Sequence, residues 1–277
     1  MSRNDGTSRL SAWRSRGRGP LRWIDIDGYA HRVFAGSRPD WWTDATAHAA
    51  ALIQANAVLR SHILALPAAV PFLEAGGPLD GTATGLTDRL RAGSPAAFLD
   101  SAADALAHGL GHGVDLMLAL PCPRDLLRAA GADPDDLDAQ DEVALCLTDV
   151  LRALSDKPLG GLLLCFADPP DGDAVTVCET LTHTARHYGW SVAVSLDHAT
   201  DPAEAAAARA LAPDAILLPE VPAAAIVATG EPDLGGGLTR RFWAGEDGIP
   251  ETLSLLHGRP PADADPETVL RRLAALP

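Results

Sequence analysis

Short apolar runs, each stopped by a polar or acidic residue, constrain this chain more than any other feature. Val114–Leu120 (VDLMLAL) runs into Pro121 and Cys122, and Leu162–Phe166 (LLLCF) ends at Ala167 and Asp168. Val192–Leu196 (VAVSL) ends at Asp197 and His198, and Ala215–Leu218 (AILL) at Pro219 and Glu220. Strands that read as near-continuous apolar runs belong to parallel sheets covered by helices on their faces. Stretches with helical spacing of apolar residues alternate with these runs: Asp138–Leu154, Val175–Tyr188 and Asp201–Ala212. Asp201-Pro202-Ala203-Glu204 has the residues of a capping box, and Asp265-Pro266-Glu267 opens a last helix in the same way. Strand, loop, helix and strand in this order make βαβ units, whose right-handed crossovers give a parallel sheet.

The first hundred residues are less regular. Trp23–Ile26 and Ile63–Val70 read as strands, and Thr43–Arg60 and Pro95–Leu110 as helices. With Arg240–Ala244 as a further strand the count is about seven, close to the eight of a closed barrel. The expected fold is therefore an α/β (β/α)8 TIM-type barrel over 22–277, irregular or truncated at its N-terminal side. An open doubly wound sheet is the alternative. Residues 1–21, with Arg3, Arg9, Arg14, Arg16 and Arg18, read as a disordered basic tail. Gly235-Gly236-Gly237 reads as a loop. No GxGxxG follows a strand and no GxxxxGK[ST] is present, so nothing points to a nucleotide.

Composition narrows the partners. A net charge of −15 over 277 residues opposes a nucleic-acid surface or an anionic membrane. No apolar run approaches the ~18 residues of a membrane span, and no apolar core follows the N-terminal arginines as in a signal peptide. These features predict a cytoplasmic enzyme with a small-molecule substrate, no nucleic acid and no membrane; the short barrel and its exposed tryptophan candidates make a homodimer plausible. The four cysteines form no CxxC pair and read as small buried hydrophobes.

In parallel α/β proteins the chemistry sits at the carboxyl ends of the strands. That rule selects Cys122, Asp168, Asp197, His198, Glu220, and Glu246 with Asp247. Asp168 and Asp197 are equally good as helix N-caps; Glu220 is not, because Glu caps poorly. Carboxylates converging at 4 Å would repel by about 4 kcal/mol at an effective dielectric of 20, so a cation or a retained proton must compensate. His198 can serve as acid, base or ligand. His183 and His187 fit the end of a helix, where positive charge suits the dipole. Asp25-Ile26-Asp27-Gly28 is similar to the DxDG of haloacid-dehalogenase-type phosphatases, but Tyr29 and the single lysine, Lys157, depart from that pattern. Trp23, Trp41, Trp42 and Trp243 either wall a pocket or fill core.

The second half resembles the barrel of uroporphyrinogen decarboxylase and cobalamin-independent methionine synthase. The resemblance rests on VDLMLALPCPRDLLR (114–128), SVAVSLDHATDPAEAAAARALAPDAILLPE (191–220) and ADADPETVLRRLAAL (262–276), and covers about 60–277. It implies a (β/α)8 barrel. For the methyltransferase branch it implies a divalent metal such as zinc, bound by an H-x-C pair and an acidic residue one strand later. Glu220 matches the acidic position, but Leu196-Asp197-His198 stands where H-x-C is expected, leaving His198 and Glu220 as the metal candidates. For the decarboxylase branch it implies an arginine-rich N-terminal region, where Arg32, Arg38 and Asp40 lie. The resulting expectation is methyl (one-carbon) transfer with His198, Asp197, Glu220 and Asp168 as catalytic residues. Cys122, Arg38, Trp243 and Glu246 would contact substrate. A metal-free decarboxylase or lyase and a non-catalytic scaffold barrel are the alternatives.

Overall fold

The apolar runs are strands of one closed layer. The computed structural model describes residues 8–15, 19–38, 41–74, 77–250 and 252–277. Eight parallel strands alternate with helices: β1 Leu21–Ile24, β2 Ile63–Pro67, β3 Asp115–Pro121, β4 Gly161–Phe166, β5 Ser191–Leu196, β6 Ala215–Leu218, β7 Leu234–Leu238 and β8 Leu255–Gly258. Their spatial order is β1-β8-β7-β6-β5-β4-β3-β2, a (β/α)8 barrel rather than an open doubly wound sheet. The seam between β1 and β2 is closed partly by side chains. The His62 N–H donates to the Arg22 carbonyl at 2.8 Å, while Nδ1 of His62 accepts from the Arg22 N–H at 3.1 Å. Ser61 Oγ accepts from the Ile24 N–H at 2.8 Å.

Alternation along each strand sorts two cores. Trp23, Ala65, Met117, Leu163 and Leu217 fill the barrel interior, while Ile24, Leu64, Leu118, Leu162 and Ile216 pack against the helices. Helix starts use the expected chemistry: Asp44, Asp136, Asp171 and Asp265 each accept a backbone N–H three residues on. Such caps contribute about 1 kcal/mol each.

Several expectations are corrected. Gly235–Gly237 is not a loop but the middle of β7. A Cβ at Gly236 would lie 2.4 Å from the Leu218 carbonyl oxygen, so the strand passes there only as glycine. Arg240–Ala244 is not a strand; Arg240–Trp243 is a helical turn capped by Thr239. Asp201 does form its capping box with Glu204, but the segment is two short 3-10 turns, Pro202–Ala205 and Ala207–Leu211. Within the stretch read as a disordered tail, Arg9–Ser15 is a helix that stops the foot of the barrel. Its Leu10 and Trp13 are buried in the interior core. The Arg9 N–H donates to the Asp115 carboxylate, and Arg14 pairs with Asp214 at 2.6 Å.

Candidate active site at the barrel mouth

At the carboxyl-terminal end of the barrel three side chains from distant parts of the chain meet. Asp25 follows β1, Asp197 follows β5 and Arg259 follows β8. Parallel pairing sets their heights: the Asp25 N–H bonds the Gly258 carbonyl at 3.0 Å, and the Asp197 N–H bonds the Phe166 carbonyl at 2.8 Å. Arg259 then spans the mouth. Its Nε donates to Asp25 Oδ2 at 2.8 Å, and Nη1 and Nη2 take the two oxygens of Asp197, each at 2.8 Å. Ser195, fully buried on β5, donates its hydroxyl to Asp197 Oδ1 at 2.7 Å. The paired carboxylates hold the Arg259 guanidinium charged against the cost of its burial.

Beneath the triad lies His257, fully buried on β8. Its Nδ1–H donates to the Trp23 carbonyl at 2.8 Å, which fixes the tautomer and leaves Nε2 without a partner among the described residues. Burial first, and the Arg259 charge second, push its pKa down to about 4. Cys165, on β4 beside Asp197, is a neutral thiol because burial raises its pKa. Asp27 opens the helix Asp27–Val33, and its N–H donates to Asp25 Oδ1 at 3.4 Å. Its own Oδ1 is buried and has no partner among the described residues. Burial, reinforced by Asp25, raises the Asp27 pKa well above the usual carboxylate range.

The predicted residues divide. Asp197 is at the centre, and it is no N-cap. Asp168 is no N-cap either, that role falling to Asp171. Asp168 sits on the rim, 3.6 Å from His198 Nδ1 and 3.7 Å from Arg128, with His198 and Asp168 both largely exposed. Glu220 is exposed and accepts a long 3.5 Å bond from the Arg240 N–H. Cys122 is buried and donates its thiol to Asp125 Oδ2 at 3.1 Å; burial keeps it protonated. Trp243 is buried in the outer core against Phe242, not in a pocket wall. Glu246 is exposed, 3.5 Å from Arg241. Arg38 is exposed in the turn after the helix Asp27–Val33, its carbonyl accepting from His31. Asp40 lies outside the described residues. Asp25 and Arg259 escaped the sequence reading. Asp25 was visible only inside a phosphatase-like motif, and Arg259 follows a strand too short to notice.

The implied zinc does not fit these residues. No three His, Cys, Asp or Glu side chains are grouped to hold a metal among the described residues. No described helix is long and apolar enough to cross a membrane.

No protein-family model and no curated protein matches the sequence. Among solved structures, the chain is similar to an amidohydrolase from Burkhoderia ambifaria with bound zinc. That match has 10% identity and a TM-score of 0.42, and covers 85% of this chain and 68% of that one. It is also similar to an endo-β-N-acetylglucosaminidase from Cordyceps militaris. A double mutant of that enzyme in complex with fucosyl-N-acetylglucosamine-Asn matches at 10% identity and TM-score 0.45, over 100% of this chain and 97% of that one. Its apo form matches at 10% identity and TM-score 0.45, over 99% and 95%. These structures give no support to the uroporphyrinogen decarboxylase superfamily. The expected methyltransferase, decarboxylase or lyase activity is corrected accordingly: the similar structures are described as hydrolases.

Proposed function

We propose that this barrel is an enzyme that hydrolyses a neutral or positively charged small molecule at its carboxyl-terminal mouth. The observation that carries the reading is the Asp25–Arg259–Asp197 triad, whose members are each 22–34% exposed and come from three different strands. Two carboxylates and one guanidinium leave a net charge of −1, which disfavours anionic substrates. Arg259 spends three of its five N–H donors on the carboxylates. The remaining two can polarise a substrate oxygen where charge develops. Asp197, held by Ser195 and Arg259, is positioned to take a proton from water.

The test is a panel of chromogenic amides, esters and glycosides, assayed with the wild type and with Asp197→Asn and Arg259→Met. Turnover of a neutral or cationic member, lost in both variants while each remains folded, supports the reading. Absence of turnover across the panel, or turnover untouched in both variants, overturns it.

A second reading is a binding barrel without turnover. It is favoured by the way Arg259 already satisfies both carboxylates. Ligand binding at the mouth without product would select it.

A further inference from the structure

The carboxyl groups around the mouth are not equivalent. Asp25 and Asp197 share Arg259; Asp125 pairs with Arg128 at 2.6 Å; Asp168 stands near His198 and Arg128; Asp247 lies 3.3 Å from Arg241. Asp27 has no cation among the described residues. It sits two residues beyond Asp25, where β1 opens into the mouth, partly buried and with its N–H 3.4 Å from Asp25 Oδ1. One of its oxygens is cut off from both solvent and donors. A carboxylate there would carry an unsatisfied buried charge, so the group keeps its proton. His257, beneath the triad, is fully buried, and its Nε2 is also without a partner among the described residues.

We infer that Asp27 is the proton donor of the site, delivering its proton to the leaving group of the bound molecule. The inference rests on the hydrolytic reading above. Water adds its oxygen to the electrophilic carbon and gives one proton to the Asp197 carboxylate. The bond from that carbon to the leaving atom breaks, and its electron pair goes to the leaving atom. That atom takes the proton from Asp27. Transfer of the proton from Asp197 to Asp27 through solvent restores both groups. One carboxyl kept neutral and another kept ionised, by different surroundings, is the arrangement that acid–base hydrolysis requires. The substrates it suits have leaving groups that depart poorly without a proton, namely alcohols and amines.

The experiment compares two substrates sharing one acyl or glycosyl part. One leaves as 2,4-dinitrophenolate, which needs no proton, and the other as a simple alcohol. Asp27→Asn is expected to lose about 10²- to 10⁴-fold more rate on the alcohol substrate than on the dinitrophenyl one. Asp27→Glu should restore part of the difference. Equal losses on both, or no loss on either, overturn the role of Asp27 while the hydrolytic reading stands. A wild type inert towards both overturns the two together. A readout free of substrate is a ¹³C carboxyl titration of the full chain by NMR. Asp27 is expected to hold its proton above the ordinary carboxylate range, and titration with the surface aspartates overturns the inference.

Discussion

The Arg259 guanidinium crosses the barrel mouth to take both oxygens of Asp197, each at 2.8 Å, although the two residues lie 62 positions apart in the chain. Asp25 completes the arrangement from a third strand. Removing the cation strands two carboxylates in each other's company. Arg259→Met is therefore expected to destabilise the fold by on the order of 2 kcal/mol at pH 7, less than the loss of a fully buried partner, because the groups are partly solvated. The loss should shrink as the pH falls and the carboxyls protonate. Denaturant unfolding at pH 7 and pH 4 reads the difference; an equal loss at both pH values contradicts the account.

His48 and His257 are both fully buried, and burial pushes each pKa down to about 4. His48 lies among Trp41, Trp42 and Phe98, and the neighbouring His31 adds to its shift. Between pH ~6.5 and ~4 the unfolded chain binds protons that the folded chain refuses, so stability falls as the pH is lowered through that window. The loss is about 3 kcal/mol per histidine at most. His48→Phe should flatten the pH dependence of unfolding by roughly half, and a slope unchanged by the substitution would count against a buried neutral His48.

Asp27 has the opposite sign. Its pKa is raised in the fold, so the folded state holds a proton that the unfolded state releases above pH ~3.9, and stability is lost as the pH rises through the folded value. Asp27→Asn removes this loss. The variant should be at least as stable as the wild type at pH 7 by thermal unfolding, whatever it does to turnover.

The helix Arg9–Ser15 is expected to act as part of the barrel core. Trp13→Ala removes a side chain 5% exposed against the interior cluster and should cost about 3 kcal/mol, measured by urea unfolding. A cost below ~0.5 kcal/mol would mean that the helix is not docked in solution.

The sequence was legible where side chains report burial directly. β3, β4, β5 and β6 stand out because Leu, Val and Ile occupy both faces. β7 was hidden because Leu255 and the Leu218 carbonyl crowd Gly235 and Gly236, leaving no room for the apolar side chains that mark a strand. β8 was hidden because it is four residues long and includes His257 and Gly258. The docking of Leu10 and Trp13 has no local signature, since it depends on the foot of a barrel that the helix itself does not build. Asp197 could be read from its place after an apolar run. Arg259 could not, because its role comes from reaching across the barrel from β8 to β5. His198 and Glu220 had the right place in sequence, but their side chains stay at the exposed rim.

The most direct measurement is kcat/KM of the wild type and Asp197→Asn on whichever neutral or cationic substrate of the panel is turned over, with thermal unfolding followed in parallel. A fall of about 10²-fold or more in a variant that stays folded at the assay temperature is the expected result. Retention of full kcat/KM in Asp197→Asn would contradict the assignment of the mouth as the active site.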